Sequence, residues 1–261
     1  VFKSTPNVIG IEKVAGDAIA APPVLKKLDR VAASDLVLDT DGKVRRSMIL
    51  VGRNGVFREG LGAKPALMYL EKEGIKLQVV DAKKKIYQLG RAVFYPLTGN
   101  EGVYNKGDTG GYQILLNYRG ELERFPNISL TDVLENRIPP GLMRDRIVFV
   151  GATAPSLNDL FQTPYTSRLF EAPRLTPGVV IHANLTSQML SAALDGRPML
   201  RAWPKVVNWV WIFFWAGSST TLGLMWLRHK WTAIAIILAG ISIVIIGYFA
   251  FLTGWWIPVF T

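Results

Sequence analysis

Side chains able to meet a ligand gather at a few points along the chain. In Ile147–Tyr165, "IVFVGATAPSLNDLFQTPY", an apolar, β-branched run ends in Gly-Ala-Thr and passes into a polar loop bearing Thr153, Asp159 and Thr163. If the run is a strand, that loop opens at the carboxyl edge of its sheet, where open α/β sheets bind ligands. Gly151 and Ala152 leave room for close approach, and Pro164 stiffens the exit. The three oxygen-bearing side chains fit a pocket rim, and they fit equally the capping of helices and loop amides, the ordinary work of Asp and Thr in turns.

His182, in "GVVIHANLT", adds a group that titrates near neutrality. It is a ligand contact or pH sensor if it shares an edge with Asp159, and a structural histidine bonded to a neighbouring loop if it does not. Arg45 and Arg46 in "DTDGKVRR" face opposite sides of a strand, so one points inward. An inward arginine holds either an anionic ligand in a forked contact or a structural aspartate. "NYRG" sets Asn117 and Arg119 on one face with the same two uses.

Catalysis within these residues is not expected. There is no G-x-S-x-G nucleophile elbow, "HAN" is no zincin motif, and "GLGAKP" lacks the spacing and Lys-Ser/Thr ending of a phosphate loop. The chain has no cysteine and 2 histidines, one of them between apolar runs, so thiolate and two-histidine metal sites are excluded from the soluble part. No catalytic residue, metal or cofactor is therefore assigned. The net charge of +10 is scattered, without the aromatic interleaving of nucleic-acid readers, and implies a solvated surface with no nucleic-acid partner.

These residues need a scaffold, and the pattern predicts an α/β domain with a mixed sheet. "SDLVLDTDGKVRRSMILV" reads as a β-hairpin about an Asp-Gly turn, and "GAKPALMYLEKEG" as a short helix closed by Gly74. Short strands follow at "IKLQVV", "KIYQL" and "GGYQILLNYRG". Ser129 or Thr131 caps a helix that stops at Pro139–Pro140. "RIVFVGAT" is apolar enough for a strand buried on both faces. "LTPGVVIHANLTSQMLSAAL" begins as a strand and becomes helical around His182, with Leu185, Met189, Ala192 and Ala193 on one face.

Beyond Pro204 the character changes. From Lys205 onward there is no Asp or Glu, and residues 206–227 and 232–252 are each long and apolar enough to cross a bilayer. Trp209, Trp211, Trp226, Trp231, Trp255 and Trp256 cluster near their ends, where amphipathic rings favour the headgroup zone. The connecting "RHKW" is basic, which places it in the cytoplasm and residues 1–204 outside. Ile257 onward reads as the opening of a third span, and an N-terminal anchor is expected ahead of residue 1. No charge lies within a span, which argues against an ion or proton path. The lipid bilayer is thus one expected partner.

Taken in order, "DTDGKVRR", "LLNYRG", "FPNISLTDVLENRIPPGLMRDRIVFVGATAPSLNDLFQTPY" and "PGVVIHANLTSQML", followed by apolar spans, resemble the CHASE2 domain. The resemblance covers most of residues 30–200 and is most specific from about Phe125 to Leu190. It implies an extracytoplasmic sensor domain of a bacterial transmembrane receptor, multi-pass in the inner (plasma) membrane. It also implies a cytoplasmic output module such as a kinase or nucleotide cyclase, an adenylate or guanylate cyclase being the best single expectation. An extracytoplasmic ligand or protein is then the stimulus, and a homodimer the working unit. The alternative is a membrane-anchored envelope structural or interaction module without enzymatic output.

Overall fold

The computed structural model describes residues 2–53, 55–102, 104, 107–167, 172–224 and 229–259. The chain runs through β1 (Gly10–Glu12), α1 (Pro23–Lys27) and β2 (Val31–Ala33), which lies parallel to β1. A turn follows in which the Asp39 amide donates to the Lys43 carbonyl and Gly42 takes a positive φ of 77°, as the Asp-Gly pair predicts. The arm ahead of that turn makes a single bridge, Val37 to Arg46. The hairpin forms instead one strand later, between β3 (Arg46–Arg53) and β4 (Val56–Glu59).

α2 (Lys64–Lys72) ends where expected, ahead of Gly74 at φ 76°. β5 (Gln78–Asp81), β6 (Ile86–Leu89) and β7 (Ala92–Phe94) form an antiparallel meander. β8 (Tyr112–Leu115) then pairs antiparallel with β3, giving a sheet in the order β4-β3-β8. Ser129 caps α3 (Leu130–Leu134) by accepting from the Asp132 amide at 3.1 Å. β9 (Leu160–Phe161) pairs with β10 (Thr176–Pro177), which leads into α4 (Gly178–Asp195). The architecture is mixed α/β, but parallel and antiparallel ladders occupy separate small sheets rather than one mixed sheet.

The expected strand at "RIVFVGAT" does not form. Residues 147–153 make no ladder among the described residues, and Val150 is 92% exposed. The free edge of β8, where another strand would add, is already occupied: the Gln113 carbonyl accepts from the Leu97 amide and the Leu115 carbonyl from Gln188 Nε2.

α4 is the post around which the domain packs, and it is helical from Gly178, a full turn ahead of His182. Ile181, Leu185 and Met189 are wholly buried against Leu70, Leu89 and Phe94. Each such side chain stabilises the fold by roughly 1.5–3 kcal/mol. Gly62 permits the close approach of α2 to α4, since a β-carbon there would stand 2.6 Å from the His182 carbonyl oxygen.

After α4, β11 (Arg201–Ala202) precedes α5 (Lys205–Leu224), α6 (His229–Leu252) and β12 (Trp255–Trp256). Within α6, Trp231–Leu252 is long and apolar enough to cross a membrane, and only 6% of its most apolar stretch is buried. It is the one such helix among the described residues. α5 is helical over most of the stretch where a first span was expected from 206, without reaching that length and apolarity; the last expected residues, 225–227, lie outside the described residues, as does Arg228 of the basic turn. On α5, Ser218, Thr220 and Thr221 donate back to carbonyls four residues earlier, which satisfies these hydroxyls within the helix. Ahead of the expected third span, Trp255–Trp256 pair in parallel with β11, and Ile257 is buried.

Candidate functional site

Past β8 the backbone leaves the sheet, and amides on α4 hold it. Gln188 Oε1 accepts from the Asn117 amide at 3.0 Å. Asn184 Oδ1 accepts from the amides of Arg119 at 2.7 Å and Gly120 at 3.3 Å, while Asn184 Nδ2 donates to the Gly120 carbonyl at 2.9 Å. Both side chains are buried, so these bonds replace hydration that the backbone cannot otherwise recover. The result fixes Arg119, whose Nε donates to Ser187 Oγ at 2.5 Å.

Opposite Arg119 stands Tyr165, set by a tight turn. Thr163 Oγ1 accepts from the Tyr165 amide, and the Thr163 amide donates to Thr166 Oγ1. Between them lies an open cleft of about 470 Å³, walled also by Glu121, Glu123, Arg124 and Arg174. Gly120 gives Arg124 its path: the arginine Cβ lies 3.1 Å from where a β-carbon on Gly120 would stand. Arg174 and Glu123 approach to 3.7 Å at the rim.

Behind the cleft, Arg197 donates to Asn117 Oδ1 and the Tyr118 carbonyl, both neutral acceptors. Burial first, and then the nearby charge of Arg119, push its guanidinium below the usual arginine range. Among the described residues neither Arg119 nor Arg197 has a carboxylate ion-pair partner.

A second polar cluster sits at the start of β3. Asp39 is buried and bonds Arg46 Nε at 2.8 Å, Arg45 Nη1 at 2.9 Å and the Tyr104 hydroxyl at 3.1 Å. Arg46, 5% exposed, also donates to Gln113 Oε1 and the Asp108 carbonyl; Arg45 is 30% exposed and forks onto Asp41. That hydrogen bonding holds the Asp41 carboxyl down to about 2. The inward arginine of the pair is thus Arg46, and its partner is a structural aspartate. Tyr118 links cluster and cleft: its hydroxyl donates to the Val44 carbonyl, and its ring meets Tyr165 edge-on at 6.0 Å.

Of the residues singled out from sequence, Arg119 lines the cleft and Thr163 lies beneath it, fully buried, its hydroxyl also bonded to Thr176 at 3.2 Å. Arg45 belongs to the neighbouring ion cluster. Thr153 is exposed on the extended run, and Asp159 packs against Gly178 at the start of α4, where burial raises its pKa. His182 faces Ser34 and Asp35, with Nδ1 buried and unpartnered. The six do not converge. Arg124, Arg174 and Tyr165 complete the cleft, and nothing in their spacing marks them; Asn184 and Gln188 did carry a signal, amides four apart within an apolar helix face.

A chain of contacts runs from the ion cluster to the apolar helices. Arg46 lies 4.8 Å over the Tyr104 ring, which meets Trp256 edge-on at 6.0 Å. Asn208 on α5 donates to the Gly102 carbonyl at 3.4 Å, and Trp211 to the Pro258 carbonyl at 3.0 Å. Arg201 of β11 stacks on Tyr95 at 3.7 Å.

The family model described as CHASE2 domain matches residues 1–221. No curated protein and no solved structure matches the chain.

Proposed function

The chain belongs to the CHASE2 domain family, and on that premise we propose that it is the sensor and membrane region of a bacterial receptor, working as a homodimer. CHASE2 is an extracytoplasmic sensor family of signal-transduction receptors, which supports the sensor role. In this reading residues 1–204 meet the stimulus outside the inner membrane. α5 and α6 then carry the change to a cytoplasmic output module, for which an adenylate or guanylate cyclase is the leading expectation.

The observation that carries the membrane arrangement is the pairing of β11 with β12. Two strands joined by hydrogen bonds lie on one side of a bilayer. If α6 crosses, the stretch between β11 and α6 must cross as well, and α5 is the helix there. The pairing also ties the exit of α6 to the domain, so relative motion of the helices is felt at Trp256 and Tyr104.

Crosslinking tests the dimer. The chain has no cysteine, so single cysteines along α5 report without background. Oxidation in native membranes should crosslink positions on one helix face, repeating every three to four residues. Crosslinks at no position, or equally at all, would contradict the dimeric arrangement.

A further inference from the structure

We propose that the cleft between the Arg119–Arg124 segment and the Thr163–Ser167 turn binds a small anion whose carboxylate or phosphate group is held by Arg119 and Arg124. Its role as stimulus rests on the sensor reading above, whereas the binding itself does not.

Three features converge. Arg119 is oriented in advance, because its Nε is tied to Ser187 and its backbone to Asn184. Its terminal nitrogens make no hydrogen bond among the described residues and are available for the forked contact that guanidinium offers to carboxylate or phosphate. Arg197, behind it, has only neutral acceptors among the described residues, so the two cations repel and an anion bound beside Arg119 offsets that repulsion. The open cleft, about 470 Å³, has room for a small ligand, with Tyr165 as an aromatic wall. Glu121 and Glu123 in the wall, the latter close to Arg174, disfavour long polyanions and favour a compact ligand. Arg197 also stands between α4 and β11, so a ligand drawing Arg119 inward acts on the segment that leads into α5.

The test is calorimetric titration of the detergent-purified chain with inorganic phosphate and, separately, with malonate. At least one should bind saturably, and the tighter one identifies the preferred group. The double variant Arg119→Gln, Arg124→Gln should weaken that binding about tenfold or more, the loss expected for charge-assisted hydrogen bonds. Arg137→Gln, on a residue paired with Asp132, should leave it unchanged. Should the double variant fail to fold, exposed Arg124→Gln alone carries the test. No saturable binding of either probe, or equal affinity in the arginine variants, overturns the proposal. Because detergent removes the question of orientation, absent binding counts against the site alone, and a reversed topology in cells counts against the sensor reading alone.

Discussion

Lowering the pH below neutrality should destabilise the domain through His182. Its ring is 5% exposed and belongs to α4, facing the Ser34 backbone with Asp35 nearby, both of which favour the protonated form. Burial outweighs both and lowers its pKa from 6.5 to about 4. The unfolded chain therefore takes up the proton first. The neutral ring's contribution is complete above about pH 6.5 and is lost as pH falls through the window down to about 4. Between about pH 7.5 and about pH 5 the linkage amounts to about 2 kcal/mol. For a domain near two hundred residues that is a Tm fall of about 4–8 °C. The assay is thermal unfolding of the purified chain followed by circular dichroism, in parallel with His182→Gln, whose amide keeps a donor and does not titrate. The variant should lack this part of the pH dependence. Equal pH slopes in the two proteins, or titration of His182 near 6.5 in the folded state by NMR, would show that burial of His182 does not set this pH dependence. The same burial keeps His182 neutral across ordinary external pH, so a pH signal would have to enter elsewhere.

Two further outcomes test the polar framework. Asp39→Ala leaves Arg46 buried without its counter-ion and should cost about 3–5 kcal/mol, measured by urea unfolding; a loss below about 1 kcal/mol would show the pair to be solvated. Asn184→Ala strands the Arg119 and Gly120 amides and should cost about 2 kcal/mol or more, with faster hydrogen exchange at those two amides. Unchanged exchange there would mean that another group holds the segment.

Local rules carried the short-range structure. Gly74 ends α2, Ser129 begins α3, and Leu185, Met189, Ala192 and Ala193 face inward because glycine, capping and helical periodicity act within a few residues. Whether an apolar run finds a partner strand is a different kind of question. Ile147–Thr153 has strand composition, but side-chain bonds from Gln188 and the Leu97 amide close the β8 edge it would need, and that closure depends on contacts across the whole chain. The candidate site divides likewise. The need of an inward arginine for a carboxylate follows from strand alternation, and Arg46 with Asp39 meets it. Arg119 was visible as a single charged residue, whereas its companions Arg124, Tyr165 and Arg174 lie on other segments that meet it only in the folded chain.

The most direct test of a sensor outside the membrane joined to a paired crossing is accessibility in intact cells. Single cysteines replace Lys83 in the β5–β6 turn, Lys230 at the start of α6, and Thr253 between α6 and β12. Each is exposed to a membrane-impermeant maleimide before and after permeabilisation. The account requires labelling of the Lys83 and Thr253 positions in intact cells, and of the Lys230 position only once the membrane is opened. Labelling of Lys230 from outside, or protection of Lys83 and Thr253 until permeabilisation, would contradict it.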